Sequence, residues 1–206
     1  MRTDTMRHGR VTIAVFGTVL VASCAPFAGQ NHQYLGSKTL GPYVGQVVDA
    51  ETRAPIEGAV VVASWWRDRV WPGGTTSERY AAREVLTNRE GRFVLDATQL
   101  EERAPGGTLR PTFTVFFPGY AGYTSASTRV RWIFREQNGF TEGEFSPRGI
   151  VVGLPRLATP WVRKDHAGSL DPFSASEDPF REVPEFMRLI NREAVSVGLQ
   201  PYRRVE

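Results

Sequence analysis

Gly45-Gln46-Val47-Val48-Asp49-Ala50-Glu51-Thr52-Arg53-Ala54-Pro55-Ile56-Glu57-Gly58-Ala59-Val60-Val61 reads as strand, turn, strand, and this stretch decides the fold class. The first strand runs from Tyr43 to Asp49. In the turn, Pro55 presets its own φ and Gly58 allows backbone geometry closed to other residues. Asp49 and Thr52 are side chains that hydrogen-bond neighbouring amides and hold such a connection. Ala59-Val60-Val61-Val62-Ala63 is an unbroken apolar run, which suits a strand covered on both faces. It continues into Ser64-Trp65-Trp66.

Further along, the pattern repeats. Tyr80 to Thr87 is a strand, Asn88-Arg89-Glu90-Gly91 a tight turn with Gly91 at the φ > 0 position, and Arg92 to Asp96 the return strand. Leu109 to Phe117 alternates around Phe113, Val115 and Phe117 and closes on Pro118-Gly119-Tyr120; Thr128 to Arg135 and Gly149 to Leu154 add two more strands. About seven strands punctuated by Gly and Pro, with no long helix between them, predict an all-β chain built on an antiparallel β-sandwich over residues 42–157. About 115 residues suffice for a self-sufficient core. Residues 158–206 differ in kind. Ala158 to Pro179, rich in Pro, Asp, Ser and Gly, is expected to run extended. From Pro184 to Val197, apolar Phe186, Leu189, Ile190, Ala194 and Val197 recur every three or four residues, which predicts one C-terminal amphipathic helix packed back on the sandwich. Pro184 suits the first helical turn and Gly198 the C-terminal cap.

Three motifs in order resemble carboxypeptidase regulatory-like domains. They are the Gly45–Val61 stretch, Thr87-Asn88-Arg89-Glu90-Gly91-Arg92-Phe93, and Val115-Phe116-Phe117-Pro118-Gly119-Tyr120. The resemblance covers roughly residues 43–123. It implies a transthyretin-like sandwich, a fold used as an accessory, adhesive or carbohydrate-binding module. The chain departs from the family pattern in a long Trp-rich insertion, Trp65 to Glu78, and in the stretch Gln99 to Thr108.

At the N-terminus, Arg2, Arg7 and Arg10 precede an apolar run from Val11 to Leu20, and Val21-Ala22-Ser23-Cys24 follows with the one cysteine of the chain. Residues 1–23 read as a signal peptide, and the site resembles the lipobox of bacterial lipoproteins, where the thiol carries diacylglycerol and becomes the first residue. A secretory signal cleaved beside Ala22, Ala25 or Ala28 is the competing reading; it leaves the placement of Cys24 unexplained. Residues 24–41 then form a flexible tether from membrane lipid to domain. Ala25 after the cysteine resembles lipoproteins sorted to the outer membrane, facing the periplasm. With the leader removed, 22 basic residues face 21 acidic ones, and no basic block occurs. Nucleic acid is therefore excluded as a partner.

Catalytic and metal-binding signals are lacking. His8 leaves with the leader, His32 lies in the tether and His166 in the irregular segment, so no metal site and no cofactor are expected. The pairs Glu101/Glu102 and Glu142/Glu144 read as solvated loop charges. The candidate binding surface is aromatic: Trp65, Trp66 and Trp71 beside Arg67 and Arg69, with Trp132 as a fourth ring. On a strand Trp65 and Trp66 face opposite sides, so one of them belongs to the core. These features predict a lipid-anchored, non-catalytic envelope module, structural or binding polysaccharide or peptidoglycan. The alternative is an adaptor lipoprotein of an envelope or secretion complex, docking a protein partner through the Trp-rich loop and the C-terminal helix.

Overall fold

The deciding stretch folds as β1 (Tyr43–Asp49), a turn, and a long β2 (Val60–Trp71). A computed structural model describes residues 40–97, 100 and 108–203. Cys24, the leader, most of the tether, Glu101 and Glu102 lie outside the described residues. β2 returns as β3 (Gly74–Leu86), followed by β4 (Arg92–Leu95), β5 (Thr108–Phe116) and the short β6 (Tyr123–Thr124). Next come α1 (Thr128–Glu136), β7 (Phe140–Gly143) and β8 (Ile150–Leu154). The chain ends in α2 (Pro160–Ser169), a 3₁₀ turn at Pro172–Ser174, α3 (Pro179–Glu182) and α4 (Pro184–Ser196). It is mostly β, with two sheets ordered β4-β1-β8-β7 and β3-β2-β5-β6 and a few short helices.

Alternation along β2 explains the layering. Val61, Ala63 and Trp65 point to one side and share a core with Tyr43, Val47, Phe93, Leu95, Phe113, Val115, Val152 and Leu154, drawn from both sheets. Val60 and Val62 point the other way and meet Val130 of α1 and Phe186, Leu189 and Ile190 of α4. The unbroken apolar run is thus buried on both faces, by a sheet on one side and helices on the other. α4 begins at Val183, which has no capping side chain. Glu84 of β3 supplies the cap from across the sheet: its carboxylate oxygens accept the Glu185 and Phe186 amide hydrogens at 2.8 and 2.9 Å. Burial raises the Glu84 carboxyl, and the two amides pull against it.

Three stretches meet at one end of the sandwich. Asp49, buried at the end of β1, accepts the amides of Glu51 and Thr52 on Oδ1, and the Tyr120 hydroxyl and Arg156 Nε on Oδ2. Burial alone would raise its carboxyl. The Thr52 amide, Arg156, Tyr120 and the Glu51 amide outweigh that and hold it far below the ordinary carboxylate range. The Thr87 hydroxyl accepts the Ala59 amide and donates to the Ile56 carbonyl, tying the β1–β2 turn to the end of β3. Gly91, at φ 68°, brings its carbonyl to the Val47 amide; a Cβ there would stand 2.4 Å from the Val47 oxygen.

Several expectations need correction. Thr128 to Arg135 is helix, not strand: burial falls on Val130, Ile133 and Phe134, a three-and-four spacing, and the Ser127 hydroxyl caps it. The segment after Ala158 is not extended. Pro160, Pro172, Pro179 and Pro184 each open a helical turn, the position where proline's missing N–H costs nothing. There are eight described strands rather than about seven. One pairing, β1 with β8, is parallel, from Gly45 opposite Ile150 to Asp49 opposite Leu154.

Asp49→Ala is expected to cost about 2–4 kcal/mol in urea unfolding, because it strands two amides and a tyrosine hydroxyl. Arg156→Ala, which leaves the buried Asp49 carboxylate one donor short while its own side chain sits mostly in water, is expected to cost about 1–3 kcal/mol. Since the folded Asp49 carboxyl lies below its unfolded value, its contribution is complete above about pH 4 and declines as pH falls further.

Candidate binding surface

The Trp-rich insertion is a β-hairpin arm. β2 and β3 stay paired out to Trp71 opposite Gly74, and a bulge between Trp65 and Trp66 leaves Tyr80 unpaired and re-aims the strands. Up to Ser64 the hairpin is covered by the other sheet and by the helical side, where the Ser64 hydroxyl donates to the Ala175 carbonyl. From Val70 to Glu78 every residue is exposed. The arm leaves the core behind.

Its residues divide as strand alternation demands. Trp65 is fully buried between the sheets and is a core residue, not part of a binding surface. Trp66 faces the opposite side, half-buried, with the Arg79 guanidinium 5.0 Å from its ring centre and Arg110 opposite it on β5. Beside it Asp68 takes two hydrogen bonds from Arg110 at 3.1 and 3.3 Å and one from the Ser77 hydroxyl. Arg110 holds the Asp68 carboxyl below its ordinary range, with burial opposing. On the other side Arg67 and Arg69 both pair with Glu78, at 2.6 and 2.9 Å, and Arg67 lies over the Tyr80 ring. These two arginines are engaged within the arm. Trp71 stands at its end, 56% exposed, its indole N–H donating to the Thr76 hydroxyl at 3.2 Å.

Such an arrangement presents a fixed aromatic plate in water, edged by hydroxyls and paired charges. The indole is oriented before any ligand arrives, so little rotamer entropy is lost on stacking. A flat apolar face with hydrogen-bonding groups at its margin matches a sugar ring, which has an apolar C–H face and a rim of hydroxyls.

Trp132 is elsewhere, on α1 rather than on a strand, with Arg129 of its own helix 4.9 Å over its ring. A fifth ring, Trp161 of α2, lies outside the Trp-rich cluster of the sequence and is 73% exposed. α1 and α2 meet through Ile133 and Val162 and through the Arg129–Asp165 ion pair. The signal for Trp161 lies in Thr159-Pro160, an N-cap and first-turn proline. That start sends Val162 inward and leaves its neighbour outside.

His166 is not in an irregular segment. It lies buried on α2, its Nε2 accepting the Gly122 amide hydrogen at 2.9 Å, which places the proton on Nδ1. Burial draws its pKa down to about 4, against the nearby carboxylates of Glu193 and Asp165. Glu142 is exposed and pairs with Arg53. No protein-family model, curated protein or solved structure matches the chain.

A histidine neutral in the fold and charged when unfolded lowers stability as pH falls from about 6.5 toward 4, by up to about 3 kcal/mol. Chemical denaturation between pH 7 and 4.5 is expected to show this decline. In His166→Gln the decline should be largely flattened; an unchanged slope would refute the assignment.

Proposed function

We propose that this chain is a lipid-anchored, non-catalytic module of the bacterial cell envelope that binds envelope polysaccharide or peptidoglycan through the β2–β3 arm. In this reading the domain is a transthyretin-like, carboxypeptidase regulatory-like sandwich. Cys24 carries the lipid, and the protein faces the periplasm from the outer membrane. No helix among the described residues is long and apolar enough to cross a membrane; attachment rests on acyl chains, of which two are enough for stable anchoring.

The observation that carries the proposal is the exposure of Trp71 at the end of a hairpin that extends past both of its covering layers, with the half-buried Trp66 nearer its base on the opposite face. Rings that contribute little to the core and are held in fixed orientations serve recognition. The adaptor reading relies on a second docking surface at the C-terminal helix. Burial of Phe186, Met187, Leu189, Ile190 and Ala194 uses the apolar face of α4 within the domain, which favours the glycan reading.

Co-sedimentation with peptidoglycan sacculi or immobilised envelope polysaccharide is the test. Trp71→Ala and Trp66→Ala are each expected to weaken retention about tenfold or more; retention unchanged in both sinks the glycan reading. For the anchor, mass spectrometry of the mature N-terminus is expected to give acylated Cys24 in the wild type and a soluble, unmodified product for Cys24→Ser.

A further inference from the structure

At the end of the sandwich where Asp49 sits, an open cleft of about 690 Å³ is bounded by Phe117, Tyr120, Arg156, Arg163 and Glu51. It is built around two buried carboxylates. Asp49 stands behind Arg156, accepting only its Nε at 2.7 Å, while the guanidinium lies 5.0 Å over the Tyr120 ring. Glu193, 1% exposed, stands behind Arg163, accepting its Nε and Nη2 at 3.0 and 2.8 Å. Glu193 also takes the Gly119 amide hydrogen at 3.0 Å on Oε2, so three donors compensate its buried charge. Asp49 is likewise compensated by its four donors.

Burying a carboxylate costs several kcal/mol unless it is fully paired. Here two of them, on β1 and α4, are buried beside one cleft, and each fixes an arginine that opens onto it. The two arginines differ in what remains. Arg163 is bound bidentately from behind. Arg156 is held by one edge and stacked on one face, with 67% of its side chain exposed. Its outer Nη groups are the donor fork that matches a planar two-oxygen anion. Arg192, its guanidinium 5.8 Å over the Phe117 ring, adds positive charge at the rim. Glu51, also at the rim, disfavours a doubly charged group such as a phosphate monoester.

We propose that this cleft is a carboxylate-binding subsite, in which Arg156 receives the acidic group of a ligand in bidentate fashion and Arg163 forms the positive wall beside it. The carboxylate has two chemical sources, a uronic acid in a polysaccharide or the free terminus of a peptide. The subsite is distinct from the arm and does not depend on it.

Isothermal titration of the mature chain tests it with two pairs of probes. One pair is a galacturonate trisaccharide and its neutral galactose counterpart; the other is an N-acetylated dipeptide and its C-terminal amide. Binding of at least one acid over its neutral partner is expected, and which acid binds names the source. Arg156→Gln should weaken that binding about tenfold or more, and Arg156→Lys, which keeps the charge but loses the fork, should fall between. Val94→Ala, at an exposed position of β4 away from this cleft, should bind the acid as the wild type does. A thermal melt close to the wild type's verifies that each variant is folded. Neither acid bound in preference to its neutral partner, or equal binding by wild type and Arg156→Gln, overturns the proposal.

Discussion

A carboxylate deep in a protein is tolerated only when its lone pairs are filled. In this chain Asp49 meets that condition with four donors drawn from three separated parts of the sequence. Two are the amides of its own turn, which fix where β1 ends and β2 begins. The third is the hydroxyl of Tyr120, which pins the segment after β5. The fourth is Arg156, which arrives after β8. The same carboxylate thus sets the turn that launches the longest strand and ties together the first and last strands of one sheet. With that end fixed, β2 presents its alternating side chains to two layers, and everything from Val70 outward follows as overhang.

What was legible in the sequence follows from how local the physics is. The turn chemistry of Asp49, Thr52, Pro55 and Gly58 acts within about ten residues, and its hydrogen bonds form as the residue types require. The apolar run at Val60–Val62 could be read as doubly covered because both parities are hydrophobic. The pattern of α1 is ambiguous, because Val130, Trp132 and Phe134 alternate as well as Val130, Ile133 and Phe134 repeat at helical spacing; only packing chooses, and it leaves Trp132 in water. Prolines after Ala158 looked like breakers and proved to be first-turn residues. The direction of β8 beside β1 is carried by no local pattern, nor is the Glu84 cap, which joins residues about a hundred positions apart.

The candidate surface was legible in composition but not in placement. Clustering of Trp65, Trp66 and Trp71 marked the arm, and strand parity predicted that one ring would be lost to the core. The ion pairs of Arg67 and Arg69 with Glu78 depend on cross-strand register, which a two-residue shift would abolish. The cleft beside Asp49 was invisible in the sequence because its parts come from five segments: the end of β1 with its turn, the stretch after β5, the link from β8 to α2, α2 itself and the last helix.

The parallel pairing of β1 with β8 has a consequence in time. Gly45 and Ile150 are neighbours in the sheet, so β1 lacks one flank until the chain has been made nearly to its last helices. Hairpin β2–β3 can close early, since its partners are near in sequence, but the sheet containing β1 is a long-range construction. Arg156 reaches Asp49 in the same late interval, so register and buried charge are completed together. A chain emerging from its N-terminus therefore leaves β1 unpaired on its β8 side until residues 150–154 have been made.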